Sequence, residues 1–368
     1  MTSGAYNPFK PAPSKTALQK IFPWTEAPLV ASAPMRLISL APLAVEVSKA
    51  GGLGFIGSGN DQSNLEETLK HALKLSVEAK LPIVGSKGET FLPIGVGFLN
   101  WGADLEYTLT LLKQYRPVAV WFFAPRSTEG LVEWTTKVRE TTFGITKIWI
   151  QIGSVKEAVE VVKGCKPDAL VVQGADAGGH GLNNGAGLIS LLPEVIDTLE
   201  TLVETRNIEQ LPTIIAAGGI ADGRGVAASL ALGAEGVVMG TRYLAANEAQ
   251  LSPGYRNEVL RASDGGQTTV RSSVYDTLRG TTEWPKEYGG RGVVNKSYHD
   301  SLSGMSLEEN KKLYDEAVGK GDEGWGESGR LTTYAGTCVG LVKKVQGAGE
   351  TTKEVRLEAD AVLRRLKG

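Results

Sequence analysis

The amino-acid sequence predicts an α/β fold, a (β/α)8 TIM barrel with a long insertion after strand 8. Three observations predict it. Eight short apolar, β-branched runs recur along the chain, helix-periodic stretches separate most of them, and paired glycines follow the seventh and eighth runs. Continuous apolar strands between helices indicate a parallel sheet covered on both faces. An open doubly wound sheet is the structural alternative. The count of eight, and glycines placed where barrels build phosphate sites, favour closure.

In chain order, the first residues are rich in Pro, Ser and Asn and read as an N-terminal arm over 1–20. The strand runs are 28–34, 54–57, 93–99, 117–123, 147–152, 168–174, 212–219 and 235–240. Between them, stretches such as NLEETLKHALKLSVEA and SVKEAVEVVKG repeat apolar residues at three and four positions, the period of an amphipathic helix. Asn64 ahead of Leu65, and Ser154 three residues before Glu157, suit helix N-termini. Residues 247–330 break the βα rhythm: they are polar and Gly-rich, with one helical stretch over 306–320. They read as an insertion packed over one face, a lid region. Residues 333–345 have the pattern of an eighth barrel helix, and 347–368 of a C-terminal helix. The barrel is thus assigned to 21–246 plus 331–346.

GLGFIG (52–57) matches the glycine spacing of a dinucleotide fingerprint. That fingerprint needs a strand before it and a helix after it. Here the order is reversed, so Gly51 and Gly52 read as the end of a helix. Residues 212–246 carry the stronger signal: strand, Gly218-Gly219 turn, helix beginning near Asp222, strand, Gly240-Thr241 turn, short helix. Glycines let backbone N–H groups approach an anion, and a helix start adds a positive dipole end. The pair predicts a phosphate-bearing ligand.

The third cluster, VVQGADAGGHGLNNGAG (171–187), follows strand six. His180 lies in it, at the strand end where barrel chemistry sits, and its imidazole suits proton transfer near neutral pH. His71 falls in an amphipathic helix and reads as solvated, and His299 lies in the insertion as a weaker candidate. Asp176, four residues before His180, either orients it or stabilises a turn. No metal-ligand spacing and no nucleophile elbow is present.

Bulk properties exclude several classes. A net charge of −2 gives no basic footprint for nucleic acid. Two cysteines, Cys165 and Cys338, make neither a disulfide framework nor a zinc site, and fit a reduced, cytoplasmic setting. The first fifteen residues lack an apolar h-region, so no targeting segment is expected. No stretch approaches the ~20 apolar residues of a membrane span.

Together, Ala33-Pro34-Met35, AVEVSKAGGLGFIG (44–57), QGADAGGHG (173–181), the 216–244 glycine segment and TYAGTCVGLVKK resemble the class I nitronate monooxygenases, formerly 2-nitropropane dioxygenases. The resemblance covers most of the barrel, about 28–246, and the QG-x-x-AGGH segment is its most specific part. It implies FMN bound non-covalently at the C-terminal mouth. Ala33, Pro34 and Met35 would pass along the isoalloxazine, Asn100 and Gln151 would be polar contacts, and Gln173, Gly178 and Gly179 would line its strand-six side. Gly218, Gly219, Gly240 and Thr241 would hold the phosphate. His180 would match the catalytic histidine, a base toward neutral nitroalkanes and an anion partner for nitronates. An electron from the nitronate to FMN, then O2, would complete oxidative denitrification to a carbonyl compound and nitrite. Trp325 and Tyr334 either cap this site or pack the insertion. Two other readings share the barrel: an NAD(P)H-dependent flavin reductase acting on quinones or enoyl thioesters, and a non-enzymatic binder of a phosphate ligand.

Overall fold

A computed structural model describes residues 20–83, 88 and 90–366. The arm expected over 1–20 lies outside these residues apart from Lys20, as does the N-terminal stretch read for targeting signals. Each of the eight apolar runs holds one barrel strand: β1 (Leu29–Ser32), β2 (Phe55–Gly59), β3 (Leu92–Leu99), β4 (Pro117–Phe123), β5 (Lys147–Ile152), β6 (Ala169–Gln173) and, after a short outlying strand β7 (Gly179–Leu182), β8 (Thr213–Ala217) and β9 (Gly236–Met239). All neighbours are parallel, in the order β1-β9-β8-β6-β5-β4-β3-β2. Closure comes just ahead of β2. Leu53 N donates to Val30 O at 3.1 Å and Ser32 N donates to Leu53 O at 3.1 Å, joining the two edges.

The barrel interior is aromatic. The Phe55 ring lies 5.3 Å from that of Trp121 and 5.1 Å from that of Trp149, and Phe22 is buried with them. A second layer, including Leu43, Val47, Leu69, Leu112, Leu131 and Leu192, fills the space between strands and helices. Removing this apolar area from water, at ~25 cal/mol per Å2, is what drives closure. Local signals fix the helix ends. Ser154 Oγ accepts from Glu157 N at 3.2 Å while Glu157 Oε2 accepts from Gly153 N at 2.7 Å. The GLGFIG segment is indeed a helix end: the helix Ala41–Lys49 stops at Ala50, and Gly51 takes φ +81°, a left-handed conformation that suits glycine.

One helix differs from expectation. Residues 333–345 form no α-helix; they hold only a 3-10 turn at Thr337–Leu341. Gly336 packs so tightly against the 176–178 loop that an added Cβ would lie 2.5 Å from Asp176 O. A helical cylinder has no room there. The eighth position is filled instead by Ala348–Leu366, which packs between Gly223–Ala231 and Ala41–Lys49. Its Arg356 Nη1 donates to Glu26 Oε2 at 2.7 Å, anchoring it beneath β1.

The region after β9 is more ordered than its composition suggests. Besides Leu307–Gly319 it holds helices Pro253–Arg261, Gly265–Thr268, Val274–Arg279 and Lys296–Leu302, and strands β10 (Thr269–Ser272) and β11 (Tyr288–Val293). These helices are short, and several are set by caps rather than by a long apolar period: Ser252, Asn295 and Ser306 each accept a backbone N–H. β11 pairs antiparallel with both β10 and β7, giving the sheet β10-β11-β7. Gly290 of β11 stands opposite His180 of β7. The insertion is thus stitched by main-chain hydrogen bonds to the histidine loop.

Candidate active site

All eight barrel strands deliver residues at their C-terminal ends to one cavity of about 950 Å3, roofed by the insertion. Ala33, Pro34, Met35, Gln151, Gln173, Gly178, Gly179, His180, Gly218, Gly219, Gly240 and Thr241 all line it. The loop after β1 bends over the barrel mouth. Ala33 N donates to Met239 O at 2.9 Å, and a Cβ on Gly97 would sit 2.3 Å from Pro34. A glycine on β3 therefore lets Pro34 come down onto the strand ends. Asn100 stands behind the wall rather than in it. Its Oδ1 accepts from Phe123 N at 3.0 Å, and its buried Nδ2 has no partner among the described residues.

Gly218 and Gly219 have φ of +95° and +80°, conformations that strain other residues. Asp222 caps the next helix, accepting from Arg224 N at 2.9 Å and Gly225 N at 3.2 Å. After β9, Gly240 leads into a 3-10 turn, Thr241–Ala245. Thr241 Oγ1 accepts from Gly336 N at 2.9 Å, which leaves its hydroxyl hydrogen to donate.

His180 is held on three sides. Its Nε2 lies 2.9 Å from Asp276 Oδ2, with side-chain exposures of 11% and 8%, so the pair is screened from water. Tyr334 Oη donates to Asp276 Oδ1 at 2.8 Å, and Thr281 Oγ1 to the same oxygen at 3.1 Å. The Trp284 ring stacks on the imidazole, centroids 3.7 Å apart and planes 4° apart. Two hydroxyl donors occupy Oδ1, which leaves Oδ2 as an acceptor toward Nε2; the tautomer that fits has the proton on Nε2 and leaves Nδ1 for a ligand. Burial, and then the Asp276 charge, push the Tyr334 phenol well above its ordinary range, which keeps it a neutral donor.

Asp176, the acid next to His180 in sequence, does not orient it. Asp176 Oδ1 accepts from Thr337 Oγ1 at 2.8 Å, and its carbonyl accepts from Thr337 N at 3.0 Å. It fastens the turn to the 333–341 segment. Tyr334 does reach the site, whereas Trp325 packs against Tyr255 at 6.2 Å in the far end of the same cavity. His71 and His299 are exposed and do not line the cavity.

Asp276, Thr281 and Trp284 were beyond the sequence reading, as were two arginines. Arg271 of β10 donates through Nη1 to Gly179 O at 3.0 Å and through Nη2 to Ala177 O at 2.8 Å. Arg291 of β11 reaches Ala175 O through Nε at 3.3 Å. Burial, with the Arg291 charge beside it, pulls Arg271 down to about 10. The Ala175 and Ala177 carbonyls, which accept no backbone N–H among the described residues, are thereby paired. One signal for Asp276 exists in hindsight: a carboxylate set in the apolar run VYDTL, just before the helix-ending Gly280.

A family model for nitronate monooxygenases matches residues 116–325. The nitronate monooxygenase npaC of Metarhizium robertsii is 47% identical over 352 residues, spanning 95% of this chain and 96% of that protein. This chain belongs to the nitronate monooxygenase family. A second nitronate monooxygenase, from Neurospora crassa, is 38% identical over 96% of this chain and 94% of its own length. Among solved structures, FabK from Thermotoga maritima matches with a TM-score of 0.71 at 23% identity, covering 96% of this chain and 99% of that one, a likeness of fold. Membership makes the chain an enzyme, a flavin oxidoreductase. The cavity suits a flavin: Gly218, Gly219 and Gly240 line it, and their turns bring main-chain N–H groups close to any phosphate held there. Among the described residues, no helix is long and apolar enough to cross a membrane.

Proposed function

We propose that this nitronate monooxygenase binds FMN in the cavity and converts alkyl nitronates, with O2, to carbonyl compounds and nitrite. The observation that carries this reading is His180, held by Asp276 through Nε2 so that Nδ1 is the nitrogen left free on a residue lining the same cavity as the glycine turns. Gly218, Gly219, Gly240 and Thr241 would hold the FMN phosphate, and Ala33, Pro34 and Met35 would support the ring system. Gln151, oriented by the Trp121 Nε1 hydrogen bond to its Oε1 at 3.1 Å, would offer its amide N–H groups. Gln173, Gly178 and Gly179 would line the strand-six side; an added Cβ on Gly179 meets nothing within 4 Å, so a ring edge has space there.

When bound, FMN supplies the electron acceptor for the substrate and the route to O2. The chain's own residues manage charge and protons. Toward a nitronate, a protonated His180 donates from Nδ1 to the anion, with Asp276 balancing the imidazolium. Toward a neutral nitroalkane, unprotonated Nδ1 removes the α-proton, and the resulting imidazolium is again paired with Asp276. Tyr334 and Thr281 hold that carboxylate, and Trp284 excludes water from one ring face. The two buried thiols, Cys165 and Cys338, fit a reducing cytoplasm.

The test is anaerobic stopped-flow mixing. An alkyl nitronate should bleach the flavin rapidly while NADH and NADPH leave it oxidised. Bleaching by a reduced nicotinamide alone would replace this reading with a flavin reductase. Chromatography of the acid-released flavin should give FMN; FAD would refute the cofactor assignment.

A further inference from the structure

Two arginines line the cavity, Arg36 and Arg279. Arg36 follows the Ala33–Met35 loop and lies across the end of β2, where a Cβ on Gly59 would sit 2.6 Å from its Cδ. That places it with the residues assigned to the flavin. Arg279 closes Val274–Arg279, the helix that supplies Asp276 one turn earlier. An arginine in a last turn commonly serves the helix's own carbonyls. This one makes no hydrogen bond or ion pair among the described residues, and its guanidinium stands over the Tyr334 ring, 5.4 Å from the centroid. The same ring lies 5.4 Å from the His180 imidazole, and its hydroxyl donates to Asp276. Two further acids line the cavity without pairing with Arg279: Asp322, whose Oδ1 accepts from Gly254 N at 2.8 Å, and Glu283.

An unbalanced cation thus stands beside the dyad, and the charge count gives it a task. Asp276 already offsets the imidazolium, so a nitronate bound there brings a negative charge with no counter-ion of its own. A neutral nitroalkane brings none. We infer that Arg279 is a specificity-determining residue: it supplies the positive charge that makes the site prefer an anionic ligand over a neutral ligand of the same shape. The inference rests on the nitronate reading for which anion arrives, whereas the geometry asks only for a small planar oxyanion. Resting on a ring face, the guanidinium keeps its N–H groups free to donate to such an anion.

The test compares two ligands of one shape that differ in charge: pivalate, an anion, and 2-methyl-2-nitropropane, its neutral isostere. Neither has an α-hydrogen, so His180 has no proton to remove from either. Binding to the flavin-loaded enzyme is followed by flavin absorbance and tryptophan fluorescence. Arg279→Gln should weaken pivalate about tenfold, the worth of one charge at a partly wet mouth, and leave 2-methyl-2-nitropropane within about twofold of the parent. Arg279→Lys should recover most of the pivalate affinity. Raising salt from about 20 to about 500 mM should weaken pivalate in the parent and hardly change it in Arg279→Gln. Three results would overturn the inference: pivalate binding no tighter than its isostere in the parent, pivalate unaffected by Arg279→Gln, or an equal loss for both ligands. The last is the pattern of a cation that only braces Tyr334. If alkyl nitronates fail to bleach the flavin while Arg279→Gln still loses pivalate alone, the function reading falls and the charge selection stands.

Discussion

His180 Nε2 and Asp276 Oδ2 meet at 2.9 Å although 96 residues separate them in the chain. The histidine belongs to the barrel's strand-six loop and the aspartate to the insertion, so the dyad exists only where the two parts are docked. In the proposed function the carboxylate selects the tautomer with the proton on Nε2 and leaves Nδ1 for substrate.

Asp276→Asn should separate the two substrate classes. The amide retains the shape but can present a donor to Nε2 and lets the other tautomer form. We expect kcat/KM on a neutral nitroalkane to fall by ~10²-fold, within the range for an impaired general base. On a preformed nitronate the loss should be under about tenfold, because no α-proton is removed. Equal losses on both substrates would show that Asp276 only supports the fold.

For His180→Asn the same comparison is steeper. Activity on the neutral nitroalkane should drop by ~10²–10⁴-fold and activity on nitronate by less. Parent-like rates on nitroalkane would remove His180 from proton transfer.

Arg271→Ala should destabilise the protein and loosen the histidine loop together. It removes the donors to Gly179 O and Ala177 O, both within the loop that carries His180. Unsatisfied buried carbonyls cost about 1–3 kcal/mol each, so a loss of about 3 kcal/mol by urea denaturation is expected, with activity lowered under conditions where the variant is still folded. A variant as stable as the parent would show that water replaces the guanidinium without cost.

Alkaline stability should reflect the buried thiols. Burial raises Cys165 and Cys338 each to about 11 from an ordinary value of 9. Both stay protonated in the folded chain while the unfolded chain ionises. Their contribution is therefore complete below pH 9 and is lost as pH rises through about 11. Denaturation midpoints measured from pH 8 to 11 should fall, and the double variant Cys165→Ala/Cys338→Ala should fall less steeply over the same window.

The barrel was legible because its signals are local. Each strand is a short apolar run, and Gly218 and Gly219 take positive φ where the backbone turns above a strand end. His180 was legible for the same reason: it follows a strand in a glycine-rich loop. Its partner was not. Asp176 is four residues away in sequence, yet its carboxylate is taken by Thr337 Oγ1. The residue that holds His180 comes from a six-residue helix, Val274–Arg279, too short to show a period. Trp284, Arg271 and Arg291 act through tertiary contacts for which no spacing rule exists. The eighth helix was misplaced because 333–345 has helical periodicity, while its neighbours leave space only for an extended chain with one 3-10 turn.

The helix Ala348–Leu366, set against Gly223–Ala231 and tied by Arg356 to Glu26, has a consequence for timing. A ribosome has translated all eight strands by residue 239, yet the groove between the first and last barrel helices stays open to solvent until some hundred further residues have been made. Synthesis therefore produces the chemistry late. The nascent barrel carries His180 without Asp276, then with it, and only afterwards gains the helix that seals the wall.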